Sequence, residues 1–390
     1  MTDLTAQILT LADALAPRLV EMRRELHRHP ELSGEETWTT GRLRAWLGDA
    51  GVTLLPLSLH TGLVAEVHGG SAGPTVALRT DIDALPVQEE TGLPYASTVA
   101  GRMHACGHDF HMAGILGATL ILQQIAPMLH GTVRILLQPA EETASGAMRL
   151  IEAGVLSGVS AVFGMHNKPD MPPGTVGVKA GPLMAAVDSI IITVEGKGGH
   201  AAIPDRVVDP VVAASAIVMA LQTAVSRNVS PLEPAVVSVT SFQAGAGAHN
   251  VIPPSATLLG TVRTFSPAVR AAMPQLLGRI VTEVAAGYGA TARLDWVEGT
   301  PPVMNDPAMA DLVRSAAAQI GMPVAEAVPT MGGEDFAEYL QRSPGCFVWM
   351  GTGCPQSWHH PQFTVDESVI HRAAALFAQT AVTALAHFKA

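Results

Sequence analysis

The chain has 390 residues, 48% of them apolar and 15% charged, and 23 basic against 34 acidic residues leave a net charge of −11. That composition excludes a disordered chain, the length suits two domains whose cores need no disulfide framework, and the acidic balance argues against nucleic acid or an anionic membrane as a main partner. Three cysteines fit a reducing cytoplasm, and Met1-Thr2-Asp3-Leu4 lacks the basic start of a signal peptide, so a cytoplasmic protein is expected. Fifteen histidines stand against three tyrosines. Histidine is the commonest metal ligand, which makes the placement of those histidines the first question.

In chain order, apolar positions at helical spacing predict a helix over 4–29, ended by Pro30, and a second over 37–50, closed by Gly51. Apolar β-branched runs predict strands at 62–68, 75–80, 132–137 and 161–165, with helices over 110–129 and 142–153 between the last three. Such alternation marks a largely parallel sheet with helices on its faces. The order changes near residue 184. Val187–Glu195 reads as a strand, 208–226 as a helix, 235–243 and 256–264 as strands, 266–287 as a helix and 290–297 as a strand. This is the β-α-β-β-α-β order of ferredoxin-like domains. Within it the apolar window Pro210–Val225 is shorter than a bilayer span and reads as a helix packed on a sheet. After Gly299-Thr300-Pro301-Pro302, helices over 306–320 and 334–341, a strand over 346–350 and a helix over 366–387 resume the first pattern. The expected fold is α/β: a mostly parallel sheet flanked by helices over 1–184 and 298–390, interrupted by a ferredoxin-like α+β domain over 185–297.

Open parallel sheets place their sites outside the carboxyl ends of the strands. Arg79, Asp81 and Asp83 follow one predicted strand, Gln138-Pro139-Ala140-Glu141-Glu142 the next, and His166 the next. His359 and His360 lie in the loop after Met350, and His104-Ala105-Cys106-Gly107-His108-Asp109 precedes a helix. Each has an ordinary explanation alone. Asp109 could cap the helix starting at Phe110, and Asp81 and Asp83 could be turn residues. Together, matching ligand types from separate loops point to a metal site. Cys106 and His108 put a thiolate and an imidazole two residues apart, and Glu142, His166 and His359 add an oxygen and two nitrogens. Mixed N, O and S donors suit zinc or another borderline divalent ion rather than magnesium or calcium. Five ligands exceed the three of a mononuclear hydrolytic site, so two metals are expected, with Cys106 as the bridge. With Glu142 on a metal, Glu141 beside it can serve as general acid/base; both glutamates also suit the first turn of a helix over 142–153.

These motifs, together with Gly164-Met165-His166 and Gly332-Gly333-Glu334-Asp335-Phe336, resemble the amidohydrolase branch of the dinuclear zinc aminoacylase and carboxypeptidase G superfamily. Its members include hippurate hydrolases, indole-acetyl-amino-acid hydrolases, and N-acetyl-diaminopimelate and N-acetylcysteine deacetylases. The likeness runs from Leu26-His27-Arg28-His29-Pro30-Glu31-Leu32 to His359-His360-Pro361-Gln362-Phe363. It implies that Cys106, His108, Glu142, His166 and His359 bind two divalent metal ions per subunit, zinc first, with manganese, cobalt and nickel as the other candidates. It implies that Glu141 is the general acid/base and that Asp83 steadies the site from behind the ligands. Asp81 stands where the carboxypeptidase branch carries a metal-binding histidine, a task that falls to His108 here. The inserted domain resembles the family's lid, which carries the dimer contact, implying a homodimer or a dimer of dimers. In Gly198-Gly199-His200-Ala201-Ala202, His200 matches the histidine that reaches an active site, usually the partner's, to stabilise the oxyanion. Asn250 and Arg263 match positions that hold the substrate's carboxylate side. His359 fits the His-x-Pro context of the last ligand and His360 does not. His27 and His29 read as structural, Cys346 and Cys354 as plain thiols, and Trp358 as lining the acyl pocket or merely packing.

The reaction this implies is metal-assisted hydrolysis of N-acyl amino acids, hippurate-like or N-acetyl and N-aryl-acyl conjugates, to a carboxylic acid and a free amino acid. Glu141 takes a proton from the attacking water and later gives it to the leaving nitrogen, while His200 stabilises the oxyanion. The alternative within enzymes is a dipeptidase or carboxypeptidase-type metallopeptidase. A catalytically silent binding protein is disfavoured because every ligand and the base are present. A Cys106–His108 nucleophilic hydrolase is disfavoured because two residues in a glycine-containing turn are poorly placed as nucleophile and base.

Overall fold

The computed structural model describes residues 2–389. Two helices, α1 (Thr2–Arg28) and α2 (Thr37–Asp49), lead into β1 (Thr53–Leu54), β2 (Leu63–His68) and β3 (Ser71–Asp81). Then come α3 (His108–Ile125), β4 (His130–Gln138), α4 (Gly146–Glu152), β5 (Val159–Lys168), β6 (Val176–Val178) and β7 (Gly181–Met184). The next stretch holds β8 (Ala186–Glu195), β9 (Gly199–His200), α5 (Pro210–Asn228), β10 (Ala235–Ala244), β11 (Val251–Ile252), β12 (Ser255–Thr264), α6 (Pro267–Gly287) and β13 (Thr291–Val297). The chain ends with β14 (Val303–Asn305), α7 (Pro307–Gln319), β15 (Val324–Glu326), α8 (Ala337–Leu340), β16 (Gly345–Gly351) and α9 (Ile370–Lys389).

Contacts divide the chain into two units, one of Met1–Leu183, Met304–Val328 and Asp335–Ala390, the other of Met184–Val303 and Pro329–Glu334. Relative to the expected 185–297, the second unit runs on to Val303 and takes in Pro329–Glu334.

The first unit is built on an eight-stranded sheet in the order β1-β2-β4-β3-β5-β16-β6-β15. The four central strands β4, β3, β5 and β16 run parallel, while β2 and β6 join them antiparallel. Val76, Ala77 and Leu78 of β3 are all buried, as a strand covered on both faces requires. Helices α3 and α9 pack on β3, with α1 against both. From His108 to Leu122 every residue of α3 is buried, which is why its sequence is apolar all round rather than amphipathic.

The second unit carries a four-stranded antiparallel sheet in the order β10-β12-β8-β13. This fourth-first-third-second order belongs to ferredoxin-like domains. Ile190, Ile192 and Val194 alternate inward from β8 and meet Ile217 and Leu221 of α5 and Met273, Leu277 and Val281 of α6. Both helices begin on a capping side chain followed by proline: Asp209 accepts the Val211 N–H at 2.8 Å, and Ser266 accepts the Val269 N–H. By length and apolarity α3, α5 and α9 are each sufficient to cross a membrane. In α3 and α9 that apolarity is buried in the first core, whereas α5 leaves Val212 and Met219 exposed.

Several expected elements shift. The helix expected over 142–153 begins at Gly146, so Glu141 and Glu142 lie in a turn before it and not in its first turn. The helix expected from 110 begins at His108 with Gly107 as N-cap, so Asp109 is not its cap. The helix expected over 334–341 contracts to Ala337–Leu340.

Candidate metal centre

The carboxyl ends of the parallel strands deliver the candidate residues to one edge of the first sheet. Asp81 closes β3 opposite Gln138 at the end of β4, and His166 of β5 lies opposite Trp349 of β16. Gly107 brings in the rest: its φ is +85°, and a Cβ there would sit 2.4 Å from Asn167 Nδ2. Only glycine lets the Cys106–His108 segment turn this close to β5.

Cys106 Sγ lies 3.3 Å from His166 Nε2. His108 Nε2 and His359 Nε2 each lie 3.7 Å from Glu142 Oε1. The donor atoms of Cys106, His108 and His166 fall within 4.8 Å of one another, as do those of Cys106, Glu142 and His359, and those of His108, Glu141 and Glu142. Of the adjacent histidines, His359 is the one beside Glu142; its backbone is left-handed, with φ of +65°. The exposed His360 instead accepts the Gln362 N–H on Nδ1 at 3.1 Å.

The tautomers follow from the hydrogen bonds. His108 Nδ1 donates to the Asp83 carbonyl at 2.9 Å and His166 Nδ1 to the Asn167 carbonyl at 2.8 Å. Each ring therefore keeps its proton on Nδ1 and turns Nε2 toward the cluster, the arrangement of a metal-binding imidazole. His111 is fixed the same way: Nε2 accepts the Asn167 N–H at 2.8 Å, so Nδ1 donates to Asp81 Oδ1 at 2.8 Å.

The electrostatics call for a cation. His108 Nε2 and Glu142 Oε1 are buried and make no hydrogen bond. Burial, reinforced by Glu142, Glu141 and Asp81, pushes the Cys106 thiol well up, so a thiolate there needs a positive partner. Burial opposes charge on His108, yet Asp81 and Asp83 win and push it up to about 10. Burial also raises the Glu142 carboxyl, against the pull of His108 and His359. A largely buried set of N, O and S donors, two of whose atoms lack a hydrogen-bond partner, fits borderline divalent metals.

Behind these groups lies a layer of buried polar residues; the sequence pointed to Asp83, His27 and His29 among them but did not indicate the roles of the others. Asp83 Oδ2 accepts the Ser33 hydroxyl at 2.7 Å and the Glu142 N–H at 3.0 Å. Arg79 reaches Asp81 at 2.7 Å, Asp335 at 2.8 Å and Gln138 at 2.9 Å, so Asp81 is not a mere turn residue. Asn167 Nδ2 donates to the Cys106 carbonyl at 2.5 Å, and Trp358 Nε1 donates to Asn167 Oδ1 at 3.1 Å. Asp109 is clamped by Arg23 and His27, both at 2.7 Å. His27 donates from both nitrogens, to Asp109 and to Glu89 at 3.2 Å, while His29 stacks on Trp38 at 4.2 Å. Charged residues in otherwise apolar segments were the available signal; His111, three residues after His108 in the fully buried part of α3, is the clearest. Cys346 and Cys354 are buried thiols without a disulfide.

His200, Asn250 and Arg263 lie on the second unit. His200 pairs with Val251 across β9 and β11, and the Asn250 carbonyl accepts the Ala201 N–H at 3.0 Å, so the two are neighbours on one ribbon. The exposed His200 ring accepts the Ala202 N–H on Nδ1 at 3.0 Å, which leaves the proton on Nε2. Arg263 is half-buried on β12, where it donates to the Val262 carbonyl at 3.1 Å and to the Thr261 hydroxyl, and burial lowers its pKa.

Residues 77–383 match the family model described as peptidase family M20/M25/M40. The chain is 52% identical over 377 residues to an N-acetylcysteine deacetylase of Bacillus subtilis, covering 96% of this chain and 99% of that one. It is 38% identical over 403 residues to the IAA-amino acid hydrolase ILR1-like 4 of Arabidopsis thaliana, covering all of this chain and 91% of that one. Among solved structures it resembles the Bacillus subtilis YXEP protein, described as a dinuclear metal-binding peptidase. The TM-score is 0.88, the identity 48%, and the match covers 96% of this chain and 99% of that one.

Proposed function

The chain belongs to peptidase family M20/M25/M40, and from that membership we propose that it is a metal-dependent amidohydrolase that splits N-acyl amino acids into a carboxylic acid and a free amino acid. The observation that carries the reading is the buried, orphaned pair His108 Nε2 and Glu142 Oε1 among Cys106, His166 and His359, with Glu141 adjoining. The named activities of the deacetylase and the IAA-amino acid hydrolase support N-acyl amino acids as the substrate class.

Cys106, His108, Glu142, His166 and His359 would hold two divalent ions, with Cys106 common to the trio with His108 and His166 and the trio with Glu142 and His359; the mixed donors favour zinc. Bound there, such ions supply Lewis acidity that polarises the amide carbonyl and makes water a better nucleophile. Asp83 holds the backbone of the Glu142 turn and orients the His108 ring. Glu141 accepts the proton of the attacking water and returns it to the departing nitrogen. His200, with its proton on Nε2, donates to the developing oxyanion. Asn250 and Arg263 bind the carboxylate of the amino acid product. The exposed Val212 and Met219 on α5 support a homodimer formed through the second unit. The unpaired thiols suit the cytoplasm.

Glu141→Gln tests the assignment. Turnover of N-acetyl amino acids is expected to fall by about 10²–10⁴-fold, the usual worth of a general acid/base, while metal content measured by mass spectrometry stays at the wild-type value. Retained turnover would remove Glu141 from the mechanism.

A further inference from the structure

The three non-glycine residues with left-handed backbone among those described are Ala140 (φ +52°), Ala144 (φ +52°) and His359 (φ +65°), and all lie in the loops of the candidate centre. Alanine is strained there, and such strain persists only where the surroundings impose it. At Ala140 the imposing group is Glu36. Its Oε1 accepts the Ala140 N–H at 2.8 Å and the Gly34 N–H at 2.9 Å.

Glu36 is fully buried, at 0% exposure, and burial pushes its carboxyl up. It occupies the N-cap position of α2, where a side chain ordinarily caps its own helix, yet it makes no capping bond. Glu31 does that work instead, accepting the N–H groups of Trp38 at 3.0 Å and Thr39 at 2.8 Å. The Glu36 carboxylate is thus turned away from its own helix and spent on the backbone one residue before Glu141. A second tie runs parallel to it: Ser33 donates to Asp83, whose same oxygen accepts the Glu142 N–H. The segment over 33–36 therefore grips the Glu141–Glu142 turn on both sides.

We propose that Glu36 is a positioning residue: by accepting the Ala140 N–H it holds the left-handed turn that presents Glu141 to the scissile amide. This rests on the reading of Glu141 as the proton carrier.

The test uses the full-length, metal-loaded chain and four variants. Glu36→Met keeps the length but removes the acceptor; kcat on an N-acetyl amino acid is expected to fall about 10–100-fold, with KM within about threefold. Metal content should be unchanged, and amide exchange in the peptide spanning residues 137–146 should accelerate. Glu36→Gln keeps an accepting oxygen and should stay within about fivefold of wild type in kcat. Ala140→Gly removes the strain that the Glu36 hydrogen bond has to hold in place. Alone it should change little, and in Glu36→Met it should restore at least about half of the lost activity on a logarithmic scale. Glu36→Asp, which keeps the charge but withdraws it by one methylene, serves if Glu36→Met does not fold; it should lose kcat and be restored by Ala140→Gly in the same way. Wild-type kcat in Glu36→Met or Glu36→Asp overturns the proposal. So does a loss that tracks folded fraction or metal content, or a loss that Ala140→Gly leaves untouched. If the wild-type chain hydrolyses no N-acyl amino acid, the reading of Glu141 fails. The exchange measurement still decides whether Glu36 holds Ala140: protection lost on removing the acceptor supports that hold, and protection retained refutes it.

Discussion

A single side chain, Asn167, shows how tightly the residues of the centre depend on one another. Its backbone N–H sets the His111 tautomer, its carbonyl sets that of His166, and its side chain holds the Cys106 carbonyl and the Trp358 indole. Replacing Asn167 with Leu keeps the main-chain bonds but orphans the Cys106 carbonyl in a buried site. Unfolding free energy in a denaturant titration is expected to fall by about 1–3 kcal/mol, and metal affinity by about tenfold or more. Unchanged values for both would show that the side chain is dispensable. The five candidate ligands were legible because carboxylates and histidines recur past predicted strands and the Cys106–His108 pair stands just before a predicted helix. Asn167, Arg79 and Glu36 were not: each bonds a partner far away in sequence, and no local spacing records such a pairing.

At the scale of elements, the turn between β4 and α4 departs furthest from expectation. Glutamates after a strand suit the first turn of a helix, and a helix over 142–153 was the natural reading. The backbone goes elsewhere because Asp83 takes the Glu142 N–H and Ala140 and Ala144 are left-handed, so helix begins only at Gly146. A Cβ at Gly146 would lie 1.5 Å from the Pro139 carbonyl oxygen. Gly146→Ala must therefore open the turn. It is expected to cost about 1–3 kcal/mol of unfolding free energy, as overpacking does, and to lower turnover further than that loss explains. Normal stability and turnover would mean that the turn is more compliant than its packing indicates. The long strands and helices were legible from periodicity. Strands of two or three residues, such as β1, β6 and β15, were not, because pairing with a neighbour defines them and their own composition does not.

Taken as a whole, the molecule inserts an antiparallel four-stranded unit into an α/β unit with a parallel centre. That interruption was legible because a β-α-β-β-α-β order cannot extend a parallel sheet. The antiparallel outer strands were not, since β2 precedes β3 in sequence but pairs with β4 in space. The acidic chain and its fifteen histidines are also clearer now: His108, His166 and His359 face the cluster, whereas His27, His29 and His111 serve packing and hydrogen bonding. The most direct test of the central claim takes the whole protein, strips it with a chelator, reconstitutes it with zinc, manganese, cobalt or nickel, and offers N-acetyl and N-benzoyl amino acids beside unblocked dipeptides. The account predicts no turnover in the stripped protein, two ions bound per chain on reconstitution, and release of the free amino acid from the N-acylated substrates in preference to the dipeptides. Turnover that survives complete metal removal, or hydrolysis confined to unblocked dipeptides, would contradict it.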